Sequence, residues 1–230
     1  MKKLAWLLAL LALLLVVDRA GAAYAGRSLA GELQRAGALP QRPTVDVGGF
    51  PFLTQVVRGR YDHVEVAARD VPAGDTTVAR LDAVLTGARV PLGQAVSGEV
   101  RQVPVERVEA RVLLPYDELA RSSGERRLTL APAGDRVRVR GEVEVLGQRL
   151  GAAAVSTVTL EGDDVVVTAQ SFEVGNGLAD ALLTRALQGR LDLRVPVRDL
   201  PYGLVVQSVA VEPEGVVVRT AATDTVLSVP

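Results

Sequence analysis

The sequence predicts an α+β fold: a mostly antiparallel, strongly curved β-sheet partly wrapped around a few helices. Three observations lead there. Several segments alternate apolar and polar residues with a period of two, most cleanly Arg136–Val145. There Val137, Val139, Val143 and Val145 share one face, while Arg136, Arg138, Arg140, Glu142 and Glu144 share the other. That is the pattern of an antiparallel strand with one wet side. Two other segments, 26–37 and 176–189, repeat their apolar residues at helical spacing instead. Between the extended segments stand turn formers: Pro72-Ala73-Gly74-Asp75, Pro132-Ala133-Gly134-Asp135, Glu161-Gly162-Asp163-Asp164 and Glu212-Pro213-Glu214-Gly215.

The composition narrows the partners. With 230 residues, 48% of them hydrophobic, the chain past its N-terminal segment suits one domain, 26–230. Aromatics make up 3%, so the core has to come from valine, leucine and alanine. A net charge of −1 supplies no global field to recruit nucleic acid or anionic lipid. The arginines alternate with acids and few aromatics are available for base stacking, so no nucleic-acid partner is expected. The lack of cysteine rules out disulfides, thiolate zinc sites and lipoprotein acylation.

The N-terminus is a targeting or anchoring segment, residues 1–25. Lys2-Lys3 precede an unbroken apolar run, Leu4–Val17, of 14 residues; Asp18-Arg19 interrupt it, and Ala23-Tyr24-Ala25 offers an Ala-x-Ala cleavage site. This fits a secretory signal peptide. The alternative is an uncleaved anchor over residues 4–25, in which the small residues continue the helix. In both cases the lysines stay in the cytoplasm and the domain is exported to the extracytoplasmic, periplasm-like space of the cell envelope.

Residues 26–37 then predict an amphipathic helix with Leu29, Leu33 and Ala36 on one side. Thr44–Val47 is a short strand that breaks at Gly48-Gly49. Phe50-Pro51-Phe52-Leu53 forms a knuckle, one or two helical turns run through Arg58, and Gly59 ends them. A strand over Arg60–Val71 follows, with Val64, Val66 and Ala68 inward and Tyr61, His63 and Glu65 outward. Phe50 and Phe52 are two of three phenylalanines in the chain, so this corner concentrates aromatic area.

Thr76–Val90 supplies another strand or two. Val100–Leu114 is extended, but its apolar phase slips after Val105, next to Pro104, which predicts a bulge or a bend in an edge strand. Pro115–Ala120 begins a short helix with Asp117 and Glu118 at its positive end. Leu150–Leu160 and Val165–Val174 are strands apolar on both faces, and the 176–189 helix is the natural cover for the second face. Leu191–Val197 alternates again. A Leu200-Pro201-Tyr202-Gly203 corner then leads into a closing hairpin of Val205–Val211 and Val216–Arg219.

Catalytic signatures are missing. No Gly-rich phosphate loop and no His-Glu-x-x-His occur, and one histidine, His63, cannot build a usual metal site. Gly26-x-Ser28-x-Ala30 lacks the strand that precedes a nucleophile elbow. Asp163-Asp164 read as turn formers, while Asp180 and Asp192 have no identifiable partner carboxylate. The reading is no enzyme, no cofactor and no metal. A hydrolase would require a carboxylate pair in a cleft.

Two motifs carry a family resemblance. Gly49-Phe50-Pro51-Phe52-Leu53-Thr54-Gln55, then Gly59-x-Tyr61-x-x-Val64-x-Val66, is the first. The second is Leu200-Pro201-Tyr202-Gly203-Leu204, then Val209-x-Val211 and Glu214-Gly215-Val216-Val217-Val218. Together they resemble the LmeA-type phospholipid-binding proteins, exported envelope proteins of high-GC Gram-positive bacteria (actinobacteria). The resemblance implies a TULIP-like architecture enclosing an apolar groove. It implies as partner a phospholipid or the lipid part of a lipid-linked glycan, with a role in envelope lipid or lipoglycan (mannan-lipid) maintenance. Acyl chains need an aliphatic cavity with few polar groups at its mouth. Phe50, Phe52, Leu53, Val56 and Val57, with Tyr202 and Leu204, are the candidates for its lip. The alternative is a structural or scaffolding envelope protein whose sheet serves as a protein interface.

Overall fold

A computed structural model describes residues 2–35, 39–73, 76–97, 100–122, 128–145, 148–162, 164–174, 177–178, 193–196 and 200–228. The fold is α+β, with mostly antiparallel sheets and a long N-terminal helix. Its first half holds α1 (Lys2–Arg35), β1 (Thr44–Val47), α2 (Phe52–Arg58), β2 (Arg60–Tyr61) and β3 (Val64–Ala73). Next come β4 (Thr76–Thr86), β5 (Ala88–Arg89), α3 (Leu92–Ser97), β6 (Gln102–Pro115) and α4 (Tyr116–Ser122). The second half holds β7 (Thr129–Ala133), β8 (Arg136–Val145), β9 (Gln148–Glu161), β10 (Asp164–Val174), β11 (Gly177–Leu178) and β12 (Leu193–Pro196). A 3₁₀ turn at Pro201–Gly203, β13 (Val205–Glu212) and β14 (Gly215–Ser228) complete it.

The chain forms two compact units. The first comprises Met1–Val71, Leu81–Ala110 and Ala221–Pro230; the second comprises Pro72–Arg80 and Arg111–Thr220.

In the first unit, β1, β3, β4, β6 and β14 are neighbours in that order. β1 runs antiparallel to β3, with Thr44 opposite Ala67 and Val47 opposite Val64. The predicted continuous strand over 60–71 is interrupted at Asp62-His63, and the cause is one side chain. Gln55 on α2 accepts the Asp62 N–H at Oε1 (2.9 Å) and donates from Nε2 to the Gly48 carbonyl (3.1 Å). The backbone freed from β3 forms β2, which pairs instead with β5, Tyr61 opposite Ala88. The phase slip in β6 is present: Val103 and Val105 are buried, then Val108 and Ala110, then Leu113. Its assignment to an edge is corrected, because β6 lies between β4 and β14.

The helix predicted from residue 26 is the far end of one continuous helix, α1. Asp18, Ala22, Gly26 and Ala30, spaced four apart on a single face, are its buried residues. Ala22 joins Val47, Phe52 and Val64 in a core cluster. At Gly26 the helix backbone comes so close to β1 that a β-carbon would collide with the Val45 carbonyl oxygen. Gly26→Leu is therefore expected to cost at least about 1–3 kcal/mol through overpacking against a backbone that cannot yield. Denaturant unfolding of this variant beside Ala30→Leu measures the cost.

The second unit contains parts of β4, β6 and β14 with β13, and a second sheet ordered β11-β10-β9-β8-β7, with β12 also paired to β10. Its core gathers Tyr116, Leu119, Ala120, Leu130, Val137, Val139, Val167 and Val216. Valine is the commonest residue in it, and across the sheet the strands match large residues to small ones. Ala154 on β9 faces Val139 on β8 and Phe172, the third phenylalanine, on β10. Residues 165–167 of β10 are buried on both faces, in keeping with their unbroken apolar run.

Most of the segment predicted as the covering helix, 176–189, lies outside the described residues. Its Gly177-Leu178 pair is strand, joined to Glu173 and Val174. Asp163, Asp180 and Asp192 also lie outside them. The predicted turn joins β9 to β10, with Glu161 opposite Asp164, and Asp164 is in addition a buried ion-pair partner: Arg194 reaches it at 2.9 Å while also holding Glu161 at 2.9 Å.

Candidate lipid-facing site

The site is a corner of the first unit, from Gly48 to Gly59, built on the side of α1. Helix α2 starts at Phe52 after the extended Pro51, whose side chain offers no capping group. The first N–H groups of a helix need acceptors from elsewhere. Asp18 of α1 supplies one: its Oδ1 accepts the Leu53 N–H at 2.9 Å. Its Oδ2 accepts from the Arg19 guanidinium at 2.6 Å. Arg19 in turn donates to the Gly49 carbonyl at 2.8 Å and lies 5.5 Å from the centroid of the Phe50 ring, within cation–π range. The carboxylate is 3% exposed yet satisfied on both oxygens, as burial of a charge demands. Thr54 closes the first turn through the Pro51 carbonyl (2.8 Å), and Gly59, at φ 65°, ends the helix in the left-handed conformation that glycine permits.

This scaffold sorts the candidate lip residues into two kinds. Phe52 is 5% exposed; its ring packs with Ala22, Val47 and Val64, stands 6.3 Å from the Tyr61 ring, and lies 3.3 Å from the point where a Gly21 β-carbon would be. Val56 is half-buried against the same cluster. Phe50, Leu53 and Val57 face outward at 65%, 41% and 75% exposure. Leu53 and Val57 are four apart and so share a side of α2. Tyr61, half-buried under this corner, has its hydroxyl pKa raised by burial. Tyr202 and Leu204 belong to the second unit, where Tyr202 is exposed with φ at 64° and Leu204 is half-buried. The first five candidates thus share one corner, and the other two lie in a separate unit.

Sequence reasoning did not anticipate Asp18, Arg19, Gly21 and Ala22 as parts of the corner. The signal was present: a charged pair ends an apolar run and is followed by small residues at four-residue spacing.

A shallow cleft in the first unit is lined by Gly87, Arg89, Pro104, Val105, Glu106 and Val226. Asp224 and Thr225 complete the lining, so the cleft holds two carboxylates; that of Glu106 is taken by Arg60 at 2.9 Å and Arg89 at 2.8 Å, charges that do not suit an acyl chain. Among the described residues, no three of His, Cys, Asp and Glu come together as a metal site. His63 bonds Glu65 at 2.8 Å.

The N-terminal helix is long and apolar enough to cross a membrane, and its apolar stretch is almost wholly unburied, unlike the core helix of a soluble protein. Fold and corner together define an α+β protein carried on an apolar helix, with a compact apolar surface beside that helix. A family model described as LmeA-like phospholipid-binding matches residues 16–221, and the chain belongs to this family. Neither a curated protein nor a solved structure matches the chain.

Proposed function

We propose that the protein is exported to the extracytoplasmic cell envelope and there binds a phospholipid, or the lipid part of a lipoglycan, without catalysis. In this reading it serves envelope lipid or lipoglycan maintenance, mannan-lipids included. Membership of a phospholipid-binding family over residues 16–221 carries the reading. The exposed side chains of Phe50, Leu53 and Val57 support it, as does the apolar helix beside them. An apolar groove receives the acyl chains, with Phe50, Leu53 and Val57 at its lip and Phe52 and Val56 behind them. Burial of methylenes, at ~0.8 kcal/mol each, dominates the affinity, so chain length matters more than headgroup charge.

Phospholipid titrations with acyl chains of graded length test this. Affinity is expected to climb with each added methylene, and Leu53→Ser and Val57→Ser are expected to weaken it without unfolding the protein. Binding that ignores chain length, or that survives the double variant intact, would remove the corner from the lipid site.

A further inference from the structure

We propose that α1 is retained after export and that its docking seats the Phe50–Val57 corner in the outer headgroup–acyl boundary of the membrane α1 spans. The proposal deepens the lipid-binding reading by giving the lipid partner a location, and it rests on that reading for export.

Two independent sets of observations lead here. The first concerns retention. Cleavage after Ala25 would sever α1 in mid-helix and remove Asp18, Arg19, Gly21 and Ala22. The Leu53 N–H would then lose its acceptor and the Gly49 carbonyl its donor. Phe52 would lose Ala22 from its cluster and the helix backbone against its ring. A dispensable signal peptide has no reason to complete the core of the protein it leaves. The family match also begins at residue 16, nine residues before the Ala-x-Ala site ends.

The second set concerns depth. The apolar run Leu4–Val17 has 14 residues and is exposed along its length. At ~1.5 Å per residue it covers about 21 Å, against a hydrocarbon core of ~30 Å. A span that falls short thins the bilayer or draws its flanks inward. Lys2 and Lys3 flank one end, where long side chains reach back to the headgroups. The other end is Asp18, whose charge is already met by Arg19 and the Leu53 N–H, so this flank enters the boundary with little bare charge. Beside it are Phe50, Leu53 and Val57, exposed and apolar. Amphipathic helices that lie on membranes sink their apolar face ~5–10 Å into this same boundary. The end of the span and the apolar corner are tied by hydrogen bonds, so the membrane level of one fixes that of the other.

The chain has no cysteine, so single cysteines report position cleanly. Leu53→Cys and Val57→Cys in the full chain are labelled with an environment-sensitive fluorophore and reconstituted in phosphatidylcholine–phosphatidylglycerol vesicles. Both are expected to show blue-shifted emission, with stronger quenching by lipids carrying a nitroxide near the headgroup than by lipids carrying it at the acyl terminus. Leu11→Cys, in the middle of the run, is expected to show the reverse order. The intact mass of the full chain recovered from membranes of an exporting bacterial host is expected to include residues 4–25. A mass beginning at Gly26 would overturn retention. Labels at Leu53 and Val57 that remain open to an aqueous quencher would overturn the depth. Neither readout requires a captured lipid, so a failure of the lipid-binding reading is separable from a failure of this one.

Discussion

Phe52→Ala is expected to destabilise the first unit by about 3–5 kcal/mol, the range for removing a buried aromatic ring. The ring is enclosed by Ala22, Val47, Val64 and the α1 backbone at Gly21, and its neighbour Tyr61 is itself constrained by β2 pairing with β5. Those backbone-fixed walls cannot collapse into the vacated space, which puts the loss toward the upper end. Phe50→Ala, two residues away, is expected to stay within about 0.5 kcal/mol, as exposed positions do. Denaturant unfolding of the two variants side by side measures the contrast. Equal losses would mean that the corner does not divide its aromatic residues into a buried plug and an exposed surface.

A chain that begins at Gly26 is expected to be much less stable than one that begins at Asp18. Both lack the apolar run, so the comparison isolates residues 18–25. Removing them takes away the acceptor at the start of α2, worth about 1–2 kcal/mol for a lost cap. It also uncovers one side of Phe52, and full exposure of such a ring costs about 1.5–3 kcal/mol. Together these put the loss at roughly 2–4 kcal/mol, a large share of the ~5–15 kcal/mol that holds a typical domain folded. Hydrogen exchange at Val47 and Val64 reads it locally, because both belong to the core cluster that Ala22 of α1 joins. Indistinguishable protection in the two chains would show that residues 18–25 are not part of the fold.

The strands were legible where one physical rule acts alone. Arg136–Val145 alternates because one side is wet, and β8 spans those residues. Thr44–Val47 and the helix ended by Gly59 were equally plain, since glycine punctuates both. The break at Asp62-His63 was not legible, because it depends on Gln55 bonding across a turn rather than on any property of the strand itself. The ion pair of Asp164 was hidden for a related reason. A Glu-Gly-Asp-Asp run reads as a turn, and its partner Arg194 is thirty residues away.

The corner was recognisable as a place, from two phenylalanines beside a proline. Which ring faces inward was not, since that is decided by α1. For α1 the sequence admits both a cleavage site at Ala25 and a helix that continues through it; the folded chain has one helix over Lys2–Arg35. Gly26, directly after the Ala-x-Ala triplet, permits the close approach of that helix to β1.

Native mass spectrometry of the full chain, released from mild detergent, is the decisive test of phospholipid binding. The expected result is a reproducible adduct of phospholipid or lipoglycan-lipid mass that disappears on organic extraction and returns after incubation with vesicles. A clean mass without adduct, unchanged after the same incubation, would contradict it and favour a protein that uses its sheets as an interface for other proteins.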